Sequence, residues 1–308
     1  MSAHQVTVRA PAKINLGLSV GPPRPDGFHP LATVYQAVAL YDDVTATLRD
    51  DPDITVEVLG DFAADVPTDS TNLAVRAART LQSEYDVEEG VDLVIRKTIP
   101  VAGGMAGGST DAAATLVACN RLWGLGLAQS ELERIAADLG SDVPFCLVGH
   151  TALGRGRGEQ VTEVMSRGTF HWVFAIADGG LSTPAVFKEL DRLRPVRRVE
   201  PPEVHPELLT ALVSGRPPAL AVALSNDLQA AALSLRPELA ATLQFGLDQG
   251  ALAAMISGSG PTCLFLAADS RQAVDLAVEL AESGLCRMVR QAEGPVPGAR
   301  ILPTVIPR

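Results

Sequence analysis

The chain lacks the features that mark membrane, secreted and disulfide-rich proteins. No uninterrupted apolar run reaches about 18 residues, so the sequence predicts no transmembrane helix. The N-terminal stretch MSAHQVTVRAPAK has no apolar core and therefore does not resemble a signal peptide. The four cysteines are scattered without a CxxC pair, which indicates neither a zinc site nor a disulfide framework. We therefore expect a cytoplasmic protein whose cysteines are small buried side chains.

Positive charge and aromatic residues are also scarce. The formal net charge of −11 argues against nucleic acid and against anionic membranes as partners. It leaves a small anionic substrate open, because clustered backbone N–H groups can bind phosphate in a chain of negative net charge. Aromatic residues make up only 4%, so the cores must consist mainly of Ala, Leu and Val. The length predicts two domains, which we place at residues 1–166 and 167–308.

The hydrophobic pattern predicts a mixed α+β protein without the regular alternation of a doubly wound sheet. Pro11 and the GPPRPDGFHP stretch at 21–30 are expected to interrupt the first strands. The predicted strands are residues 6–10, 14–20, 31–40, 44–48, 54–59, 91–97, 145–148, 151–153, 161–164 and 172–177. The predicted helices are residues 72–84, 115–123, 129–139, 183–193, 218–224, 227–234, 237–248 and 270–283.

A glycine-rich loop, GGMAGGST at 103–110, lies between a predicted strand and a predicted helix. Glycines let the backbone approach a ligand closely, and the N–H groups and dipole at a helix N-terminus favour an anion. Ser109 and Thr110 are expected to open the helix and to add hydroxyl donors. The loop is neither a Walker A motif nor a dinucleotide fingerprint, since it lacks the Gly-Lys-Ser/Thr end and the ribose-binding acid. A tight turn without a ligand explains the same glycines about equally well.

Three further signals are each weak. Lys13 and Asn15 in PAKINLGL face the same side of an extended segment, which indicates a polar cavity or simply a solvated strand face. Asp142 in LGSDVPF follows a helix end, and Pro144 is expected to hold Val143 extended. The Asp142 carboxylate could accept a proton from a substrate hydroxyl, or it could accept a hydrogen bond from the backbone of its own turn. The SGSGPT stretch at 257–262 is a second close-approach loop or a plain hairpin.

In their combination and order these segments resemble the GHMP kinase superfamily. The sequence contains PAKINL near the start, a glycine-rich loop that opens a helix, and GSGPT near the end. The stretches APAKINLGL, RPDGFHPLATVYQ, AGGMAGGSTDAA and GSDVPF carry a narrower likeness, and the resemblance runs from Ala10 to about Leu266. The resemblance implies a two-domain α+β fold. Its N-terminal domain would resemble a ribosomal protein S5 domain and its C-terminal domain a ferredoxin-like sandwich.

The resemblance also implies an activity, ATP-dependent phosphoryl transfer. The most similar branch phosphorylates the C2 hydroxyl of a cytidine diphosphate-linked methylerythritol in the non-mevalonate isoprenoid pathway, so ATP, Mg²⁺ and this small molecule are the expected ligands. By position, Asp142 is the expected catalytic base and Lys13 the cation beside it. The expected substrate contacts are Asn15, Phe28, His29, Thr183 and Phe187. The expected ATP contacts are Val101, Ala102, Gly103, Gly104, Met105, Ala106, Gly107, Gly108, Ser109, Thr110 and Asp111. The Mg²⁺ ligands are not assigned, and Ser109 is the one candidate.

The chain departs from the family pattern in its glycine loop. Met105 stands where Leu is usual, Ala106 where Gly is usual, and Thr110 where Ser is usual. If position 106 requires a positive φ, its alanine strains the loop.

Two alternative functions stay open at this point. A kinase of a smaller alcohol such as homoserine or mevalonate would have no use for Phe28, His29 and Phe187, which match positions that hold a cytosine. A non-catalytic nucleotide-binding module would have no need of an intact Lys13 and Asp142.

Overall fold

A computed structural model describes residues 4–194 and 200–303 of the chain. Its strands are β1 (Gln5–Val20), β2 (Leu31–Arg49), β3 (Ile54–Gly60), β4 (Gly90–Lys97), β5 (Thr151–Arg155), β6 (Gln160–Glu163), β7 (Phe170–Ile176), β8 (Ser225–Asn226), β9 (Ala253–Ile256), β10 (Cys263–Ala267), β11 (Met288–Gly294) and β12 (Arg300–Ile301). Its helices are α1 (Leu73–Glu84), α2 (Gly107–Leu122), α3 (Gln129–Leu139), α4 (Val143–Val148), α5 (Thr183–Leu193), α6 (Pro206–Ser214), α7 (Pro217–Ala221), α8 (Gln229–Leu235), α9 (Leu239–Asp248) and α10 (Ser270–Glu282). The predicted α+β class is confirmed.

The larger sheet has the strand order β12-β1-β2-β4-β3, with β5 paired to β2, β6 to β5 and β8 to β1. Helices α1, α2 and α3 cover one of its faces. Leu81, Leu116 and Ile135 from these helices form one apolar cluster with Val8 and Val44 of the sheet. This helical layer fixes α2 against the sheet, and therefore fixes the glycine loop that precedes α2.

A change of register inside β1 sets which side chains reach the cavity described below. The pairing of β1 with β2 shifts between Pro11 and Ala12. Before the shift, the side chains of even-numbered residues such as Val8 pack under the helices. After the shift, even-numbered side chains such as Ile14 pack between the two sheets. Lys13 therefore lies on the other side. Proline has no N–H to donate and fits where the ladder is interrupted, so it does not end the strand as the sequence predicted.

The smaller sheet is antiparallel with the order β11-β7-β10-β9. One of its faces packs against the larger sheet, where Trp172 and Leu264 join the cluster that contains Ile14. The Trp172 indole donates to Gln36 Oε1 of β2 at 2.9 Å, which links the two sheets directly. The opposite face packs against α9 and α10 in a cluster that includes the fully buried Phe265.

Most predicted elements are found, but α2 begins at Gly107 rather than at residue 115, and the segment after Asp142 was assigned wrongly. Residues 145–148 belong to helix α4 rather than to a strand, and Val143 is the first helical residue rather than extended. A short apolar run fits either element, so its packing against α2 and α3 decides. Residues 31–40 and 44–48 are one strand, β2, and α6 was not predicted.

The expected division at residues 166 and 167 stays a prediction, since β8 and β12 from beyond it join the larger sheet. Across the described ranges, no helix is both long and apolar enough to cross a membrane.

Candidate active site

A cavity of about 640 Å³ opens where the two sheets meet. On one side its walls are β1, the loop at 21–30, the glycine loop and the start of α4. On the other side they are α5 and the SGSGPT stretch at 257–262, which we call the second glycine loop. The volume is in the range of cavities that hold small-molecule ligands.

The expected catalytic pair is assembled in this cavity. Lys13 Nζ lies 3.1 Å from Asp142 Oδ2, although 129 residues separate them in the chain. Lys13 also donates to Asn15 Oδ1 at 3.1 Å, and the Asn15 amide donates to Thr33 Oγ1 at 2.8 Å. Thr33 in turn donates to the Gly17 carbonyl. This chain of hydrogen bonds orients the ammonium and the amide from one rigid strand.

Tyr35 forms the floor beneath the pair. The Lys13 ammonium lies 5.2 Å from the centre of the Tyr35 ring, which packs on Phe145. Burial, and then the Asp142 carboxylate, hold the pKa of Tyr35 well above its ordinary value. The phenol therefore stays protonated and can donate toward the carboxylate. Tyr35 is opposite Asn15 in the pairing of β1 and β2, a register that the sequence alone does not reveal.

The glycine loop runs into α2 through a left-handed residue. Ala106 is the N-cap of α2 with φ 61° and ψ 30°, and the helix begins at Gly107 rather than at Ser109. Position 106 therefore has the positive φ on which the expected strain depends, and the strain itself stays a prediction. The Met105 carbonyl accepts from the Lys13 N–H at 3.2 Å, which ties the loop to β1.

The second glycine loop braces the first. A side chain at Gly104 would collide with the Ser257 carbonyl, and Ser257 Oγ donates to the Gly104 carbonyl at 3.0 Å. The Asn226 amide donates to the Gly258 carbonyl at 2.8 Å and so holds the second loop in place. Both loops thus need glycine because two backbones meet.

The predicted ATP contacts divide into two groups. The following line the cavity: Ala102, Gly103, Gly104, Ala106, Gly107, Gly108 and Ser109. The following lie outside its lining: Val101, Met105, Thr110 and Asp111. Thr110 donates instead to the Pro11 carbonyl at 3.0 Å. Met105, Thr110 and Asp111 of the second group are buried and support the loop from beneath.

A buried triad of ionisable side chains lies under the start of α2. Lys97 Nζ donates to Asp42 Oδ2 at 2.6 Å and to Asp111 Oδ2 at 2.7 Å, and all three side chains are buried. Burial is the largest cause that raises the pKa of Asp111, to about 8, and the Asp42 charge adds to it against the opposing effect of Lys97. Although burial favours the neutral amine, the two carboxylates raise the pKa of Lys97. Its ammonium packs against Gly107, where a side chain would not fit.

All five expected substrate contacts line the cavity. Asn15 lies beside Lys13, and the other four lie at the end formed by the loop at 21–30 and α5, which we call the far end. The His29 ring lies on Phe187 with 5.0 Å between ring centres, and His29 Nε2 lies 3.0 Å from Asp191 Oδ1. Phe28 is 51% exposed at the mouth. Thr183 Oγ1 lies 2.9 Å from Ser259 Oγ and so connects α5 with the second glycine loop.

Sequence reasoning missed several residues of the lining, among them Tyr35, Arg157, Lys188, Asp191 and Ser259. The spacing from Phe187 to Asp191 is one helical turn and could have indicated a shared face. The glycines that flank Arg157 in GRGRG could have indicated a turn, but not its place at the cavity.

The described part of the chain contains no cluster of three or more His, Cys, Asp or Glu side chains that would hold a metal without a ligand's help.

Comparison with known proteins identifies two matching family models and several similar proteins. The family model for the GHMP kinases N terminal domain matches residues 72–150, and the model for the GHMP kinases C terminal domain matches residues 208–284. A 4-diphosphocytidyl-2-C-methyl-D-erythritol kinase of Streptomyces avermitilis is 58% identical over 297 residues, which cover 96% of this chain and 99% of the relative. The enzyme of the same name from Nocardia farcinica is 58% identical over 301 residues, 96% of each chain.

Solved structures share the fold. A crystal structure of 4-(cytidine 5'-diphospho)-2C-methyl-D-erythritol kinase is 30% identical, with a TM-score of 0.76 over 93% of this chain and 98% of that one. Homoserine kinase from Cytophaga hutchinsonii, at 18% identity, has a TM-score of 0.75 over 97% and 98% of the two chains. The second likeness establishes the fold alone.

Proposed function

The chain belongs to the 4-diphosphocytidyl-2-C-methyl-D-erythritol kinase family of the GHMP kinases, and from that premise we propose its reaction. The protein transfers the γ-phosphoryl group of ATP to the C2 hydroxyl of 4-diphosphocytidyl-2-C-methyl-D-erythritol, giving the 2-phosphate and ADP. The step belongs to the non-mevalonate route to isoprenoid precursors. Relatives of that name at 53–58% identity favour this acceptor over homoserine and mevalonate, whose kinases share the fold at 18% and 14% identity.

The contact between Lys13 and Asp142 is the observation that carries the mechanism. The Asp142 carboxylate would accept the C2 hydroxyl proton while that oxygen bonds to the γ-phosphorus and the bond to the ADP oxygen breaks. The Lys13 ammonium would offset the negative charge on the attacking oxygen. Asn15, fixed by its bond to Thr33, would orient the acceptor.

The glycine loop would hold the ATP phosphates. Gly107, Gly108 and Ser109 are the first three residues of α2, whose N–H groups have no partner within the helix. These groups and the positive end of the helix dipole favour the β- and γ-phosphates. Leu73, which lies against Gly108, adds an apolar wall beside them.

The residues present fit a magnesium ion that arrives with ATP. Mg²⁺ commonly binds through substrate phosphates with one or two protein ligands. Ser109, at the cavity, is the candidate protein ligand. When bound, the ion would neutralise charge on the transferred phosphoryl group.

The far end of the cavity would hold the cytosine. The His29 and Phe187 rings, which are tilted by 31° to each other, offer aromatic faces for a base, and the exposed ring of Phe28 offers another at the mouth. Asp191, at 3.0 Å from His29, would fix the orientation of the imidazole. Thr183 would contact the substrate beside the second glycine loop.

We propose the cytoplasm as the location and ATP and the small-molecule acceptor as the partners. All four cysteines are free thiols, as expected in a reducing compartment.

The test is an acceptor assay. Purified protein is incubated with ATP, Mg²⁺ and the cytidyl acceptor while ADP release and the phosphorus NMR spectrum are followed. Homoserine, mevalonate and free methylerythritol serve as parallel acceptors. A new phosphomonoester signal with the cytidyl acceptor alone is the expected result, and transfer only to another acceptor would overturn the proposed substrate.

The role of Asp142 is tested in the same assay. Asp142→Asn should lower kcat by about 10²- to 10⁴-fold, the usual contribution of a general base, with ATP binding retained. Asp138→Asn, which removes an exposed carboxylate from α3, is the matched control. An unchanged kcat in Asp142→Asn would remove this residue from the mechanism.

A further inference from the structure

Arg157 lies in a turn whose backbone conformation is fixed by its glycines and hydrogen bonds. The turn joins β5 to β6, and its glycines have positive φ angles, 74° at Gly156 and 110° at Gly158. The Arg157 N–H donates to Glu159 Oε2 at 2.6 Å. The Gly156 carbonyl accepts from the Leu31 N–H at 2.8 Å, which fixes the turn beside the loop at 21–30. The position of residue 157 is thus set by backbone contacts on both sides.

This turn spans the distance between the two ends of the cavity. The Arg157 guanidinium lies over the Phe28 ring, 5.2 Å from its centre, at the end expected to hold the base. A side chain at its neighbour Gly158 would collide with the Tyr35 hydroxyl and would reach Ser141. Tyr35 and Ser141 adjoin the phosphoryl-transfer end, where Asp142 lies. Arg157 therefore lies between the base and the reacting hydroxyl.

The charges around the cavity leave Arg157 available for an anion. The cavity carboxylates Asp142 and Asp191 lie beside Lys13 and His29. In the described ranges, no carboxylate lies within ion-pair distance of the Arg157 guanidinium. Asp26, the acid near this turn, already accepts from Arg24 and from the Phe28 N–H.

A diphosphate is the anion that the geometry fits. An arginine that stacks on an aromatic ring keeps the N–H groups at its edge free, and their fork matches two phosphate oxygens. The acceptor carries its diphosphate between the cytidine and the methylerythritol, the same interval that Arg157 spans. The cation–π contact with Phe28 also restrains the side chain before the ligand arrives, which lowers the entropic cost of binding.

We propose that Arg157 binds the diphosphate of the acceptor and thereby selects a nucleoside diphosphate-linked alcohol over a free alcohol. This inference rests on the proposed function and adds a specificity-determining residue to it. Lys188 on α5, the other cation at the cavity whose side chain has no carboxylate partner in the described ranges, lies on the opposite wall and is more exposed.

The test separates diphosphate binding from support of the Phe28 ring. Binding of cytidine diphosphate and of cytidine is measured by calorimetry, with the ATP site saturated by a non-hydrolysable ATP analogue. Arg157→Met should weaken cytidine diphosphate binding by about tenfold or more, because a charged hydrogen-bond partner is lost, and cytidine binding less than twofold. Arg157→Lys should fall between, because it keeps the charge but not the fork.

Arg155→Met, an exposed arginine of the same turn, is the matched control and should leave both affinities unchanged. Steady-state kinetics should show a raised KM for the acceptor with little change in kcat or in the KM for ATP. An equal loss for cytidine and cytidine diphosphate would show that Arg157 only supports Phe28, and unchanged affinities would show no contact; either result overturns the proposal. Failure of the proposed function would look different, since the wild-type protein would then phosphorylate no cytidyl acceptor.

Discussion

Ala106 adopts a backbone conformation that costs an L-amino acid about 1 kcal/mol or more, with φ at 61°. Glycine would adopt the same conformation without that cost, although it loses more entropy on folding. We therefore expect Ala106→Gly to leave the free energy of unfolding unchanged or to raise it by up to about 1 kcal/mol. Urea unfolding measures this difference.

Ala241→Gly provides the comparison for Ala106→Gly. Ala241 is an exposed residue inside α9, where glycine should cost about 1 kcal/mol relative to alanine. A loss of the same size in Ala106→Gly would mean that the alanine at 106 carries no strain.

The buried triad predicts a dependence of stability on pH. The carboxyl of Asp111 has a pKa of about 8 in the folded protein, chiefly through burial, against about 4 in an unfolded chain. Between these values the folded state holds a proton that the unfolded state releases, so the contribution of this group to stability falls as pH rises and is lost by about pH 8. Asp111→Asn keeps the shape without the titration.

We therefore expect the urea midpoint of the wild-type protein to fall more steeply between pH 5 and pH 8 than that of Asp111→Asn. Asp42→Asn serves as the contrast, because Asp42 also accepts from the Thr98 and Ile99 N–H groups and its loss should destabilise at every pH. Parallel profiles for wild type and Asp111→Asn would contradict the assignment of the proton to Asp111.

At the scale of secondary-structure elements, α1 depends on one capping residue. Asn72 Oδ1 accepts from the Ala74 N–H at 2.8 Å, and its amide donates to the Pro67 carbonyl at 2.7 Å. An N-cap side chain contributes about 1 kcal/mol. Asn72→Ala should therefore lower the free energy of unfolding by about 1–2 kcal/mol, measured by urea unfolding. Asn72→Asp keeps the cap acceptor and should recover most of the loss, and equal losses in both variants would show that the cap is unimportant.

Elements with strong periodicity could be predicted from the sequence. Residues 72–84 and 129–139 have an apolar stripe and clear end signals, and α1 and α3 are found there. The segment at 145–148 could not be assigned, because four consecutive apolar residues have no period that separates helix from strand. The register of β1 was also hidden, since the shift after Pro11 follows from pairing with β2.

The candidate site was predictable where a motif is contiguous. Lys13 and Asn15 lie two apart on one strand, and the glycine loop is a single stretch. The partners that reach the cavity from distant segments, such as Tyr35 and Arg157, depend on strand register and on turn packing. Those relations are tertiary, so one sequence does not encode them in a readable pattern.

At the scale of the whole molecule, the two sheets share one buried interface. Trp172 is fully buried in it, and its indole donates across to Gln36. The cluster between the sheets contains residues from both, including Ile14 and Leu264. Separating the sheets would expose this apolar surface and break the indole hydrogen bond, and both changes are unfavourable.

We therefore expect both halves to unfold in one cooperative transition, although the chain has two predicted domains. The two tryptophans report on the two halves, Trp123 at the end of α2 and Trp172 in β7. Trp123→Phe and Trp172→Phe each leave one reporter. In each variant the urea transition followed by fluorescence should coincide with that followed by far-UV circular dichroism, even though Trp172→Phe should have a lower midpoint because it leaves a cavity. Separate transitions in the two variants would mean that the halves fold as independent units. The interface between the two sheets would then form only after each half has folded.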